Sequence, residues 1–473
     1  MIRRTLMRRA YNAGNYSRAR HHALKLVHIP GEQRLARSVI IRSHWNQQEY
    51  EEIVLLLQKW KDSEMRFYLQ KSIDELFSLK AKGQKINISL EGFQSKRYSG
   101  LQGSQPVPNF ERHWNGQNVI GNFFQENQRI WFRFPQSHCY WDMPEDFKLE
   151  HVHTSLLELV AELLLSPWYK ETKHQLQPQR KKGLNPSLSF SGGTDSTAAS
   201  LLLPDDTIHG YHERSLESQL KHDNAKKLIN HMANVQDKQV FSIPSNHEII
   251  RTYHDKNIGF STDLACASHL ILLADHFDIG AIAFGMTLDN TWLWKGRVFR
   301  HFESTHYLQY WRKRFSHAGL DLLLPIAGIS EAGAMKICQQ SELMPFLNSC
   351  MRGEADEGCG ECWKCFHKNG PLGRPYNFKS NEIQMFLNRK PIPTAMHALW
   401  AIDTMGLKNQ APLAVQELML NDFSWWEKVY PLSNEIIPNP WREHVWKRIC
   451  TYLEMMEVPY PVEAINLYNE KFE

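Results

Sequence analysis

Two clusters of residues in this chain have the types and spacing to do chemistry. The first is Ser191-Gly192-Gly193-Thr194-Asp195-Ser196, preceded by Ser187-Leu188-Ser189-Phe190 and followed by the Ala- and Leu-rich run Thr197 to Leu203. It predicts a short buried strand, a Gly-Gly turn and a helix. Such a handover binds anions, because backbone N–H groups converge there and the positive end of the helix dipole points into the same space. Gly192 and Gly193 have no Cβ, so the chain can turn sharply and phosphate oxygens can approach the backbone. Ser191, Thr194 and Ser196 add hydroxyl donors, and Asp195 can hold Mg²⁺ or cap the helix. The bland alternative is a glycine-rich turn with a capping Asp and no ligand.

The second cluster is Cys350, Cys359, Cys362 and Cys365. Its C-x₂-C-x₂-C spacing after a nearby fourth cysteine suits tetrahedral Zn²⁺, and four thiolates with no open position make a closed, structural site. An iron–sulfur cluster is the metal alternative. Cys139, Cys266, Cys338 and Cys450 are scattered, so a disulfide framework does not account for the 8 cysteines. No helix loaded with base-reading residues follows the cluster, which argues against a nucleic-acid finger.

The rest of the chain must position these clusters. Its 473 residues, 42% hydrophobic and 22% charged, are ordinary for globular domains, and a net charge of +4 is too small to argue for nucleic acid. No apolar run approaches membrane-spanning length, and Met1 to Arg9 lacks a secretion signal, so cytoplasmic residence is expected. Residues 1–83 read as helices with a tetratricopeptide-like period: Tyr16 matches Tyr50, Ala19 matches Ile53, and Ala23 matches Leu57. Nine arginines make the first fifty residues basic, which suits a partner-docking surface or a solvated helical hairpin.

Residues 84–150 read as a small β-rich region, with strands over Asn118–Phe124 and Arg129–Phe134 and a polar loop over Gln94–Pro108. A helix is expected over Thr154–Leu165 and a boundary over Lys173–Asn185. Strands at Thr207–Tyr211, Gln239–Ile243 and Ala281–Gly285 alternate with helices at Lys221–Val235 and Thr262–Phe277. That alternation makes 151–375 an α/β domain with a doubly wound parallel sheet, whose ligands bind beyond the carboxyl ends of the strands. Residues 376–473 read as a C-terminal helical subdomain. His209, His212 and His269 read as structural histidines.

The turn is neither a Walker loop, which needs GxxxxGK[ST], nor a Rossmann GxGxxG turn. It resembles the pyrophosphate loop of the N-type ATP pyrophosphatases, of the adenine nucleotide alpha hydrolase-like fold. With the cysteine cluster it resembles the 7-cyano-7-deazaguanine synthases over residues 187 to 370, including Leu324-Pro325-Ile326 and Ser349-Cys350. The resemblance implies structural zinc on Cys350, Cys359, Cys362 and Cys365. It also implies ATP, with Mg²⁺, at Ser189, Phe190, Ser191, Gly192, Gly193, Thr194, Asp195 and Ser196, and at His209, Gly285 and Asp289 on neighbouring strands. Asp195 and Ser196 are expected at the reacting phosphates, and Lys295, Arg297 and Arg300 read either as cations that balance the charge there or as solvated loop residues.

The implied activity is that of an ATP-dependent C–N ligase: adenylation of a 7-carboxy-7-deazaguanine-type acid, then amine attack to an amide or nitrile. The chain departs from the family at Phe260-Ser261-Thr262-Asp263, where Arg-Asn is usual, and at Asp289 to Arg297, where a Tyr-Pro-Asp-Cys-Arg-type segment is usual. Glu331 stands where a lysine is expected. Residues 1 to 180 and the tail after 375 also exceed the family enzyme. Long relatives occur in bacterial antiphage defence, where a deazaguanine can be joined to a protein. Two further readings therefore stand: conjugation to a protein or nucleic acid docked through residues 1 to 180, and a non-catalytic nucleotide- and zinc-binding partner. A homodimer is left open.

Overall fold

The computed structural model describes residues 2–60, 65–81, 84–93, 105–110, 112–169, 178–216, 223–254, 256–350, 352–353 and 357–470. The chain divides into two compact units, one of residues 1–107 with 248–259, the other of 108–247 with 260–473.

The first unit is built on α1 (Ile2–Asn12), α2 (Tyr16–Leu24), α3 (Gln33–Asn46), α4 (Tyr50–Trp60) and α5 (Arg66–Ala81). Tyr16 and Tyr50 each open a helix, and Ala19, Ala23, Ile53 and Leu57 are all buried, so the repeat positions are equivalent in packing. Helices α2 and α3 form one hairpin, and α4 and α5 a second one period later. Much of the loop expected over Gln94–Pro108 lies outside the described residues, as does Lys173–Gln177 of the expected boundary.

The second unit carries β1 (Phe123–Glu126), β2 (Arg129–Arg133), β3 (His138–Asp142), α6 (Thr154–Leu165), β4 (Asn185–Ser189), α7 (Thr194–Leu202), β5 (Ile208–Arg214), α8 (Asp223–Asn234), β6 (Val240–Ser245), α9 (Ser268–Leu272) and β7 (Ile279–Ala283). Then come the two-stranded β8 (Leu293–Trp294) and β9 (Val298–Phe299), α10 (His306–His317), β10 (Asp321–Leu323), α11 (Glu331–Gln339), α12 (Asn381–Leu387), α13 (Ala395–Thr404), α14 (Leu413–Gln416) and α15 (Asn439–Tyr452). The described strands form an eight-stranded sheet in the order β1-β2-β3-β6-β5-β4-β7-β10. The run β6-β5-β4-β7-β10 is parallel. Every residue of β7 (Ile-Gly-Ala-Ile-Ala) is buried, as a parallel strand covered on both faces requires.

Two regions do not stand apart as their composition suggests. The antiparallel strands β1–β3 extend the edge of the parallel sheet through β6. Trp141 pairs with Ser245 there and Asn246 N donates to Tyr140 O at 3.4 Å, and side chains complete the join: Asn246 Oδ1 accepts from Tyr140 N at 2.9 Å, and Ser245 Oγ donates to Tyr140 O at 2.6 Å. The C-terminal helices likewise belong to the core. Val445, Ile449 and Leu453 pack in one cluster with Ala198, Ala199 and Leu202 of α7, because small residues on α7 let another helix approach closely. The helix expected over Thr262–Phe277 is shorter: one 3₁₀ turn at Ala265–Ala267 leads into α9.

Candidate functional site

Strand β4 ends at Ser189, and α7 begins at Thr194 after Gly193, an N-cap residue with no side chain to cap it. Gly192 makes the turn at φ +69°, and a Cβ there would lie 2.7 Å from Ala225 Cβ. Glycine is therefore required by conformation and by space. Gly285, just beyond β7, passes so close that a Cβ would meet Ser196 N at 2.9 Å.

Hydroxyls satisfy the turn from within. Gly193 N donates to Ser191 Oγ at 3.4 Å, Thr194 N to Ser349 Oγ at 3.3 Å, and Ser196 Oγ to Gly193 O at 3.1 Å. Both amide bonds are long, so an anion arriving at the turn exchanges weak partners for charge-assisted ones.

The turn opens into a cavity of about 330 Å³, within the range of small-molecule sites. Ser189, Phe190, Ser191, Gly193, Asp195 and Ser196 line one side. Tyr211, His212 and Arg214, from the end of β5, stand with Phe260, Asp263 and Cys266 on another. Gly285 and Met286 follow β7, and Asn348, Ser349, Cys350 and Lys364 come from the cysteine-bearing segment. The cavity thus lies beyond the carboxyl ends of β4, β5 and β7, where open α/β sheets bind ligands.

Behind the turn lies a buried charge network. Lys368 Nζ donates to Asp195 Oδ1 at 2.6 Å and Oδ2 at 2.7 Å, and stands 3.2 Å from Glu331 Oε2. Burial opposes the Lys368 charge, but Asp195 and then Glu331 override it and raise the ammonium above its ordinary range. Burial likewise pushes Glu331 up, yet Lys368, His397 and His367 outweigh it and hold the carboxylate low. Asp289 is fully buried; its Oδ2 accepts from Glu331 N at 3.0 Å, while burial first and Glu331 second push its carboxyl well up.

The four clustered cysteines converge. Sγ separations are 4.0 Å for Cys350–Cys362, 3.9 Å for Cys359–Cys365 and 3.6 Å for Cys362–Cys365. Sulfurs bound tetrahedrally at about 2.3 Å from zinc stand about 3.8 Å apart, so the spacing fits that ion. Arg352 N and Cys359 N donate to Cys350 Sγ at 3.4 and 3.3 Å, and Cys365 N to Cys362 Sγ at 3.4 Å. Such bonds orient thiolates around a metal.

The expected site residues divide into three groups. Ser189, Phe190, Ser191, Gly193, Asp195, Ser196 and Gly285 line the cavity. Gly192 and Thr194 shape the turn, with Thr194 Oγ1 2.7 Å from Ser349 Oγ, and Asp289 lies behind it.

His209, Lys295 and Arg297 are not among the cavity residues. His209 sits near the start of β5, not its carboxyl end, because the strand runs on to Arg214; its Nε2 is 2.7 Å from Ser200 Oγ. Lys295, at φ +52°, and Gly296 form the turn of the β8–β9 hairpin, and the Lys295 ammonium covers Trp294. Arg297 pairs with Glu470 at 2.6 Å, and Arg300 donates to Thr291 O and Asn290 O. The cations that line the cavity are Arg214 and Lys364, and Lys368 reaches Asp195 from behind the turn. The signal for the two lysines is their position close to the clustered cysteines, where a chain that wraps a metal holds its neighbouring side chains in place.

One family model, described as a family of unknown function (DUF6395), matches residues 310–371, which include Glu331, the four cysteines and Lys368 but not the glycine turn. No curated protein and no solved structure matches the chain. No described helix is long and apolar enough to cross a membrane.

Proposed function

We propose that this chain is an N-type ATP pyrophosphatase-like ligase that adenylates a carboxylate, of the 7-carboxy-7-deazaguanine type, and passes the acyl group to an amine. One observation carries the reading: a helix N-terminus with glycine as its N-cap, at a Gly-Gly turn, faces a cavity at the sheet's carboxyl edge, with Asp195 and Lys368 paired at its base.

The β,γ-phosphates would take hydrogen bonds from Gly193 N, Thr194 N and the Ser191 and Ser196 hydroxyls. Ser191 and Ser349 would release the amides they now hold. Lys364, on the cavity wall, and Lys368 would supply positive charge as pyrophosphate leaves. Catalysis is then positioning and electrostatics, with the carboxylate oxygen attacking the α-phosphorus in line. Phe260 and His212 offer ring surface to a flat heterocycle, and Asp263 offers an acceptor for its ring or amino N–H groups. Both Asp195 oxygens accept from Lys368, so Mg²⁺ at Asp195 would share the carboxylate with that ammonium or displace it.

The helical hairpins of the first unit, with their repeat spacing, favour a second reading in which the acceptor amine belongs to a macromolecule. ATP–pyrophosphate exchange that depends on 7-carboxy-7-deazaguanine tests the adenylation. Intact mass spectrometry of a co-expressed partner distinguishes the acceptors: a mass increment on the partner establishes conjugation, and a small-molecule amide or nitrile establishes the other outcome. A chain that binds ATP without exchange is a non-catalytic partner protein.

A further inference from the structure

Glu331 opens α11, His367 lies in the turn Cys365–Asn369 directly after the last clustered cysteine, and His397 lies in α13. The fold brings these three distant segments to one point in the interior. Both imidazoles are fully buried and Glu331 is 6% exposed. Glu331 Oε2 stands 3.6 Å from His367 Nδ1 and 3.6 Å from His397 Nε2, and all three ligand atoms lie within 4.8 Å of one another. Donors bound at about 2.1 Å to one ion stand roughly 3 to 4 Å apart, so a single ion can reach them all with small adjustments.

We infer that Glu331, His367 and His397 form a second metal site, separate from the four cysteines, for a first-row divalent ion of the zinc or ferrous class. Two imidazoles and one carboxylate are the donor set such ions select. Unmet polar capacity supports the assignment. Neither ring nitrogen of His367 has a hydrogen-bond partner, and nor does His397 Nδ1, all in an interior that excludes water. Buried polar groups are otherwise almost always paired.

The charges agree. Asp195 and Glu331 share the buried ammonium of Lys368, while Asp289 Oδ2 accepts from Glu331 N and its Oδ1 is buried without a partner. A dication on Glu331 would leave Lys368 to Asp195.

Binding has a cost the structure makes explicit. His397 Nε2 now donates to His367 O at 2.8 Å. Ligation through Nε2 gives up that bond and moves the ring proton to Nδ1. The site is distinct from the nucleotide cavity, and its existence does not depend on the chain using ATP.

The test is a metal count on the full-length chain purified without chelator, saturated with Co²⁺ and desalted. Two equivalents per chain are expected, one giving thiolate-to-cobalt charge transfer and one giving only weak ligand-field bands. His397→Ala and Glu331→Gln should each drop the count from two to one while the thiolate band persists. One equivalent in the wild type, or two retained in His397→Ala, overturns the assignment. Should both variants lose the thiolate band as well, X-ray absorption on the wild-type cobalt protein decides: imidazole scattering beside sulfur supports the site, and sulfur alone overturns it.

Discussion

Lys368 and Asp195 form a two-point ion pair across 173 positions of sequence, with Nζ 2.6 and 2.7 Å from the two carboxylate oxygens. The carboxylate of the glycine turn is therefore neutralised by the cysteine-bearing segment. The glycine turn and the cysteine-bearing segment are thereby joined through a buried ion pair.

Lys368→Met should remove both the charge and the brace. Leaving Glu331 buried without its cation costs about 3 to 5 kcal/mol of stability. Pyrophosphate exchange should fall by about 10²-fold or more, as when a preorganised charge is deleted. Lys368→Arg should recover part of the stability. The readouts are the thermal midpoint and exchange assayed well below it; unchanged exchange in Lys368→Met would remove this residue from the phosphate site.

Gly192→Ala meets two obstacles, the left-handed φ of +69° and the contact with Ala225 Cβ at 2.7 Å. The conformational part costs about 1 kcal/mol, and the clash adds to it. Adding Ala225→Gly should return the steric share alone. Chemical denaturation of the two single variants and the double variant measures that coupling, and additive effects would show that the two residues do not touch.

The cysteine cluster borders the cavity, since Cys350 lines it beside Ser349 and Asn348, so a metal held there would brace that wall. Cys359→Ser, or exhaustive chelation, should lower zinc content and weaken binding of a fluorescent ATP analogue together. Readdition of zinc after chelation should restore both. Nucleotide affinity that survives complete zinc loss would separate the two sites.

Acidification should destabilise the fold through buried neutral histidines. Burial lowers His209 and His269 to about 4. Between that value and the ordinary 6.5 the unfolded chain binds more protons than the folded one, so stability falls as pH falls through this window. Each group contributes on the order of 3 kcal/mol across it. His269→Leu should flatten the dependence of the thermal midpoint between pH 4 and 6.5; an unaltered slope would assign the effect elsewhere.

Arg297→Ala should act on stability and not on chemistry. Its guanidinium is 8% exposed and tied to Glu470 at 2.6 Å, so the thermal midpoint should drop by a few degrees while exchange stays within about twofold. A large loss of exchange at full stability would bring the β8–β9 hairpin back to the reacting phosphates.

The sequence alone determined the features whose physics is local. A Gly-Gly pair between an apolar strand and an Ala-rich helix makes a tight strand-to-helix turn, and four closely spaced cysteines need only a short loop to converge. Helix α6 matches its expected bounds, Thr154–Leu165, because every one of its residues from Ser155 to Leu165 is apolar or shielded in the core. The repeat positions of the first unit were legible for the same reason: period fixes which side chains face inward.

Tertiary structure decided everything that depends on long-range neighbours. Composition could not reveal that β1–β3 join the parallel sheet, because the join rests on a few bonds between Tyr140 and Trp141 on one strand and Ser245 and Asn246 on the other side. Nor could spacing choose among the cations: Lys295 and Arg297 are near Asp289 in sequence but held by Trp294 and Glu470, whereas Lys368, far from the glycine turn in sequence, pairs with Asp195. Glu331, His367 and His397 carry no motif at all. They meet because α11, the cysteine turn and α13 pack together, and that packing is a property of the whole core.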